Sequence, residues 1–143
     1  YRGTYLDLLA LYEYIQKKDY QYPSTPALSL MFALDYQLDK ILEEGLENRF
    51  ARHIEMAKYT REWAKSRFAL YPEEKYASNT LTTVKNTRNI SISELNKQLG
   101  QRGFMISNGY GELKEVTFRI AHMGDTTLDD IKELLSVIDE LIG

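Results

Sequence analysis

One arginine in this chain has the setting that anion binding would need. In Val116-Thr117-Phe118-Arg119-Ile120-Ala121-His122-Met123-Gly124, apolar and polar side chains alternate from Val116 to Ile120. The alternation predicts a strand with Val116, Phe118 and Ile120 on the core face and Thr117 and Arg119 on the other. A guanidinium on a rigid strand is always charged and presents a planar fork of donors, which suits bidentate capture of a carboxylate or phosphate. On pattern alone the commoner reading is an ordinary half-exposed arginine on a sheet. A second anion candidate is Tyr22-Pro23-Ser24-Thr25-Pro26. The spacing predicts a helix with Pro26 at its first position and Thr25 at the N-cap. Free backbone N–H groups there, with the Thr25 and Tyr22 hydroxyls close by, could hold a phosphate; the alternative is a plain cap.

The remaining chemical side chains are less promising. His53 stands between Phe50 and Ala57 on the apolar side of a helix, where packing or an interface suits it better than base chemistry. His122 lies one strand face away from Arg119, with no Asp, Glu or second His at ligand spacing, so no metal is expected. Gly109-Tyr110-Gly111 reads as a turn rather than a dinucleotide loop. A Schiff-base lysine must be desolvated to be nucleophilic at neutral pH. Lys40, Lys58, Lys65, Lys97 and Lys132 all fall on polar helix faces, and none suits that role. No catalytic residue is assigned within the chain.

Elements must position these groups. Tyr5 to Lys18 has helical spacing at Tyr5, Leu8, Leu9, Tyr12 and Ile15. Leu28, Met31, Leu34, Leu38, Ile41 and Leu42 form a second apolar stripe that runs to Gly45, a predicted stop or kink. Leu46 to Leu70 reads as a long amphipathic helix with Leu46, Phe50, Ile54, Ala57, Trp63, Ala64 and Phe68 on its apolar side. Asn79 to Lys85 reads as a strand. Ser91-Ile92-Ser93-Glu94 matches a capping box that opens a helix running to Gly103. Phe104 to Ser107 reads as a short strand and Asn108 to Glu112 as a loop. Thr127 opens a last helix, with Asp129 and Asp130 at its positive end. From residue 80 the order is strand, helix, strand, strand, helix, a small α/β sandwich with helices on one face of the sheet.

Composition narrows the function classes. With 143 residues and 43% hydrophobic content, the chain can bury one sizeable core. A formal charge of −3 with well-mixed signs gives no basic footprint for nucleic acid and no polybasic membrane patch. There is no cysteine, so disulfides, thiolate metal sites and a cysteine nucleophile are excluded within the segment. A cytoplasmic location is the expectation. No apolar run of about 18 residues and no leader pattern is present, so neither a membrane span nor a signal peptide is expected. The chain opens at Tyr1 rather than at methionine, which reads as a piece of something longer.

Several segments together carry a resemblance. Ser24-Thr25-Pro26-Ala27-Leu28-Ser29-Leu30, then Ile41 to Arg49 with Arg52-His53, then Gly111-Glu112-Leu113-Lys114 leading into Phe118-Arg119-Ile120-Ala121-His122-Met123-Gly124 are similar to the C-terminal part of class V aminotransferases. The likeness is to the alanine–glyoxylate and serine–pyruvate group, and it runs from about Tyr5 to Leu141. It implies a fold-type I transferase dependent on pyridoxal 5'-phosphate (PLP), of which residues 1–45 would end the large domain, 46–70 form a long connecting helix and 71–143 the small C-terminal domain. It also implies that Arg119 binds the substrate's α-carboxylate, and that Tyr22 and Thr25 reach the cofactor phosphate of the neighbouring subunit of a homodimer. The substrates would be an amino acid and a 2-oxo acid. The cofactor-binding lysine and the aspartate facing the pyridine nitrogen would lie upstream of Tyr1, so this chain alone should not transaminate. Ala121 stands where close relatives often have glycine, and the absence of cysteine argues against the desulfurase branch. The alternative from another class is a stand-alone α/β interaction or regulatory module.

Overall fold

The computed structural model describes residues 7–17 and 24–143. The predicted helix ends at Tyr5 and Lys18, like Tyr22, lie outside the described residues. Those described form five α-helices, α1 (Leu8–Lys17), α2 (Leu28–Glu44), α3 (Leu46–Arg67), α4 (Ile92–Gln101) and α5 (Leu128–Ile142). Four strands, β1 (Ala69–Leu70), β2 (Leu81–Lys85), β3 (Ser107–Asn108) and β4 (Thr117–Ala121), make one sheet in the order β1-β2-β4-β3. Every pairing is antiparallel. The chain divides into two compact units, residues 1–43 and 44–143.

In the first unit the apolar stripe of α2 has no cover among the described residues. Leu28, Met31, Leu34, Leu38 and Leu42 are all exposed, and α2 has no buried residue. The predicted cap is displaced. The first helical bond of α2 runs from the Met31 N–H to the Ala27 carbonyl (3.0 Å), after a tight turn in which the Leu28 N–H donates to the Pro26 carbonyl (3.0 Å). Thr25 therefore stands two residues ahead of the capping position, because that turn is inserted between the proline and the helix.

The second unit holds the core. Gly45, at φ +81°, breaks α2 from α3 where the sequence predicts a stop, a conformation that glycine adopts without steric cost. The buried face of α3 is His53, Met56, Ala57, Thr60 and Ala64. Leu46, Phe50 and Ile54, expected on that face, are 51%, 55% and 50% exposed. Ala57 and Ala64 are buried as expected, and the sheet takes Met56 with them rather than the Leu46, Phe50 and Ile54 row. The helix also ends earlier than predicted. Phe68 leaves it to enter the core, and Ala69–Leu70 form an edge strand opposite Lys85 and Val84.

Helices α4 and α5 cover one face of the sheet, as the sequence predicts, and α3 joins them there. They enclose Val84, Phe118 and Ile120 with Met56, Ile92, Leu99, Ile131 and Ile138. Ser91 Oγ accepts from the Glu94 N–H (3.2 Å), half of the expected capping box. Glu94 does not return the bond; the Glu115 carboxylate takes the Ile92 and Ser93 N–H groups instead. A reciprocal box does form at α5, between Thr127 and Asp130. At the end of α4, Gly103 (φ +83°) lets the Phe104 N–H reach the Leu99 carbonyl (3.0 Å) and its own N–H reach Gly100 (3.2 Å), a Schellman closure. This uses Phe104, and the Asn96 side chain brackets the Ile106 N–H and carbonyl at 3.0 and 2.7 Å. The strand predicted over 104–107 is thereby reduced to Ser107–Asn108.

Candidate functional site

Strand β4 sets two environments by its period of two. Phe118 and Ile120 face the helices and are fully buried. Arg119 points to the opposite face, as predicted, and is partly buried. Val116 departs from the expected pattern. It precedes the strand, 45% exposed, in a turn where its N–H donates to the Leu113 carbonyl (3.0 Å). Thr117 is on the Arg119 face yet almost inaccessible, because the loop from Gly109 to Leu113 folds over it, with Thr117 Oγ1 3.4 Å from the Leu113 carbonyl.

Arg119 is framed by polar neighbours. Its cross-strand partners are Thr83 on β2 and Ser107 on β3, so a small hydroxyl residue stands on either side of it on the same face. Its Nη2 donates to the Asn108 carbonyl (3.2 Å). The Tyr110 ring lies across the guanidinium, 4.4 Å from its carbon to the ring centroid, a cation–π contact that fixes the plane of the fork. Nε is shut away from solvent and has no partner. Among the described residues no acid pairs with this arginine. A guanidinium that is oriented but not neutralised is what a site for a carboxylate requires.

His122 continues the core-facing parity of the strand and is fully buried. Its Nε2 lies 2.8 Å from Thr82 Oγ1, while Nδ1 is buried without a partner. Burial pushes the imidazole below the ordinary histidine value. The unfolded chain therefore binds more protons than the folded one at and below about pH 6.5, so stability present above that pH is lost as the pH falls. The melting temperature is expected to drop between pH 7.5 and 5.5, and His122→Gln should flatten that slope. An unchanged slope in the variant would assign it to other groups.

The segment after the strand is tied to the start of α3. Glu44 receives Arg52 Nε and Nη2 at 2.7 and 3.0 Å and Arg49 Nη1 at 2.7 Å. The same arginines donate to the Gly124 carbonyl, each at 3.1 Å, and Arg52 also to that of Thr126. The Arg52 hydrogen bond, helped by Arg49 against partial burial, holds the Glu44 carboxyl down to about 2. Nothing in the local sequence marks Arg49 and Arg52 for this. Their role as fasteners of the Gly124 turn depends on a fold that brings residues 44 and 124 together. Tyr110, Asn108 and Glu115 were likewise missed; the Asn108-Gly109 turn signal was visible, but not its link to Arg119.

Thr25 is exposed. His53 is buried on α3 with Nδ1 2.7 Å from the Arg49 carbonyl, in keeping with a packing role. Arg49, Phe50, His53, Ile54, Asn79 and Thr80 line a cleft of about 440 Å³, which does not include Arg119. Among the described residues no three His, Cys, Asp or Glu side chains are grouped to hold a metal ion, and no helix is long and apolar enough to cross a membrane.

No protein-family model matches the chain. An uncharacterised aminotransferase from Methanocaldococcus jannaschii is 39% identical over 124 residues, 85% of this chain and 32% of that protein. Serine–glyoxylate aminotransferase of Arabidopsis thaliana is 35% identical over 109 residues, 73% of this chain and 27% of that protein. The crystal structure of pyridoxamine–pyruvate aminotransferase from Mesorhizobium loti superposes with a TM-score of 0.81 at 28% identity, covering 94% of this chain and 35% of that one. The chain thus spans about a third of the length of the curated relatives it matches. Extended sequence similarity and a shared fold together say that the chain belongs to the class V aminotransferases, fold-type I, as a C-terminal portion.

Proposed function

We propose that the full-length protein is a PLP-dependent aminotransferase, and that this chain supplies its substrate-carboxylate clamp. The amino donor would be an amino acid such as alanine, serine or aspartate, and the acceptor a 2-oxo acid such as glyoxylate or pyruvate. The observation that carries this reading is Arg119, a guanidinium oriented by Asn108 and Tyr110 and without an acid partner among the described residues. Two parallel N–H donors would take the two oxygens of the α-carboxylate, and the fixed strand would set the distance from that carboxylate to the reacting carbon. PLP, when bound, supplies the electron sink that weakens the bonds at that carbon. The described residues do not fit its covalent attachment. Lys40, Lys58, Lys65, Lys97 and Lys132 are exposed, and Lys65, Lys97 and Lys132 are paired with Glu62 and Glu74, with Glu94 and with Asp129.

In this reading residues 1–45 end the large cofactor-binding domain, 46–70 connect, and 71–143 form the small domain of a cytoplasmic homodimer. The exposed apolar stripe of α2 supports the first assignment, since such a stripe calls for a protein cover. Thr25 and Tyr22 would contact the phosphate of the neighbouring subunit's cofactor. Thr25→Ala in the full-length protein should weaken PLP retention by about 0.5–1.5 kcal/mol, the worth of one hydrogen bond, with no share from a lost cap. Unchanged cofactor dissociation would remove Thr25 from the phosphate site. The activity itself is tested by supplying the full-length protein with PLP, L-alanine or L-serine, and glyoxylate. Appearance of glycine with the matching 2-oxo acid supports the reading, and no amino transfer to any 2-oxo acid overturns it.

A further inference from the structure

Glu115 has a φ of +62°, a backbone conformation that a residue with a Cβ adopts only when its surroundings impose it. Here they do. Its N–H donates to Asn108 Oδ1 (2.9 Å), and its carbonyl accepts from Asn86 Nδ2 (2.8 Å). Its carboxylate accepts from the N–H groups of Ile92 (2.6 Å) and Ser93 (3.2 Å), from Ser93 Oγ, and from Asn108 Nδ2 (2.6 Å). The negative charge thus sits on the N-terminus of α4, where the orphan N–H groups and the helix dipole favour it. The Ser93 hydroxyl first, then Asn108 and the two N–H groups, hold this carboxyl below the usual carboxylate range against partial burial, so it is ionised at neutral pH.

What Glu115 grips is Asn108. That side chain is held at both ends, Nδ2 by the carboxylate and Oδ1 by the Glu115 and Gly109 N–H groups. The Asn108 carbonyl is in turn the hydrogen-bond acceptor for Arg119. The next residue leaves no slack, since a Cβ on Gly109 would lie 2.0 Å from the Leu113 carbonyl oxygen. Tyr110, whose ring covers the guanidinium, follows directly.

The geometry points to Glu115 as a positioning residue for Arg119, acting through Asn108 to fix the loop that orients the guanidinium toward a substrate carboxylate. This rests on the carboxylate-clamp reading. A fork of donors discriminates by geometry, so loosening its support costs affinity for the carboxylate without touching the rest of the substrate.

The test uses the full-length protein with Glu115→Gly, Asn108→Ala and Arg119→Ala in parallel. Glycine accepts the positive φ, so Glu115→Gly removes the carboxylate while sparing the turn, and thermal melting checks that the fold is kept. The readout is kcat/KM for an amino acid relative to its decarboxylated amine, together with the dissociation constant of propionate, an unreactive carboxylate. Glu115→Gly and Asn108→Ala should each lower the amino acid to amine ratio roughly tenfold, chiefly through KM, and weaken propionate by a similar factor, as expected for a misaligned charge-assisted bond. If Arg119→Ala collapses the ratio while Glu115→Gly leaves it at the wild-type level, the positioning role is overturned and the clamp stands. If Glu115→Gly slows both substrates equally, Glu115 is merely structural and the proposal fails. If Arg119→Ala itself leaves the ratio unchanged, the clamp falls and the positioning role with it.

Discussion

Arg119→Ala in the full-length protein is expected to lower kcat/KM for an amino acid by roughly ten- to 150-fold. The figure follows from the 1.5–3 kcal/mol that a hydrogen bond to a charged group contributes, with a factor of ten for each 1.4 kcal/mol. The structure sharpens the expectation. The guanidinium is already oriented by the Asn108 carbonyl and the Tyr110 ring, so little ordering entropy is lost on binding and most of the bond appears as net stabilisation. Arg119→Lys should recover little of the loss. An ammonium keeps the charge, but it cannot present two parallel donors, and it would not stack on Tyr110 as a planar fork does. An amine lacking the α-carboxylate should react at the same low rate with wild type and variant. Half-reaction kinetics on both substrates decide the matter. Wild-type turnover of the amino acid by Arg119→Ala would refute the clamp, and equal slowing of both substrates would make the arginine structural.

Much of this was legible in the sequence because it depends on local periodicity. The strand carrying Arg119, the face that Arg119 takes, the Gly45 break, the Ser91 and Thr127 helix starts and the order of elements after residue 80 are all set by residues within a few positions of one another. What could not be read depends on distant contacts. On α3 the expected apolar side was too wide: Ala57 and Ala64 are buried as expected, but only the sheet selects Met56 over Phe50 and Ile54 as their neighbour. Ala69–Leu70 is too short to announce itself as a strand and exists through pairing with β2. Glu115 carries no local sequence signal. Its importance comes from a positive φ and from Asn86, Asn108 and the start of α4, up to 29 residues away in sequence. That Arg119 faces away from the helix-covered core was visible from alternation, whereas the Asn108 and Tyr110 contacts that orient it were not.

The other face of the same strand should respond in the opposite way. Phe118 is completely buried among the residues of the helix-covered core and meets Phe68 edge to face, with ring centroids 5.2 Å apart. Phe118→Ala removes a buried aromatic ring and leaves a cavity that the antiparallel pairing of β4 with β2 and β3 prevents from closing, so it should destabilise the fold by about 3–5 kcal/mol. That is a large part of the stability of an ordinary domain. The chain's single tryptophan offers the measurement, since Trp63 stands 5.7 Å from the Phe68 ring, centroid to centroid, and its fluorescence follows urea unfolding of the 143-residue chain. The midpoint should fall steeply in Phe118→Ala. It should move far less in Arg119→Ala, whose side chain makes one hydrogen bond to a carbonyl and no ion pair among the described residues. Adjacent residues on one strand would then separate, Phe118 losing stability and Arg119 losing carboxylate recognition. A comparable loss of stability in both variants would show that Arg119 holds the fold, and the weaker turnover of Arg119→Ala could no longer be assigned to a missing contact with substrate.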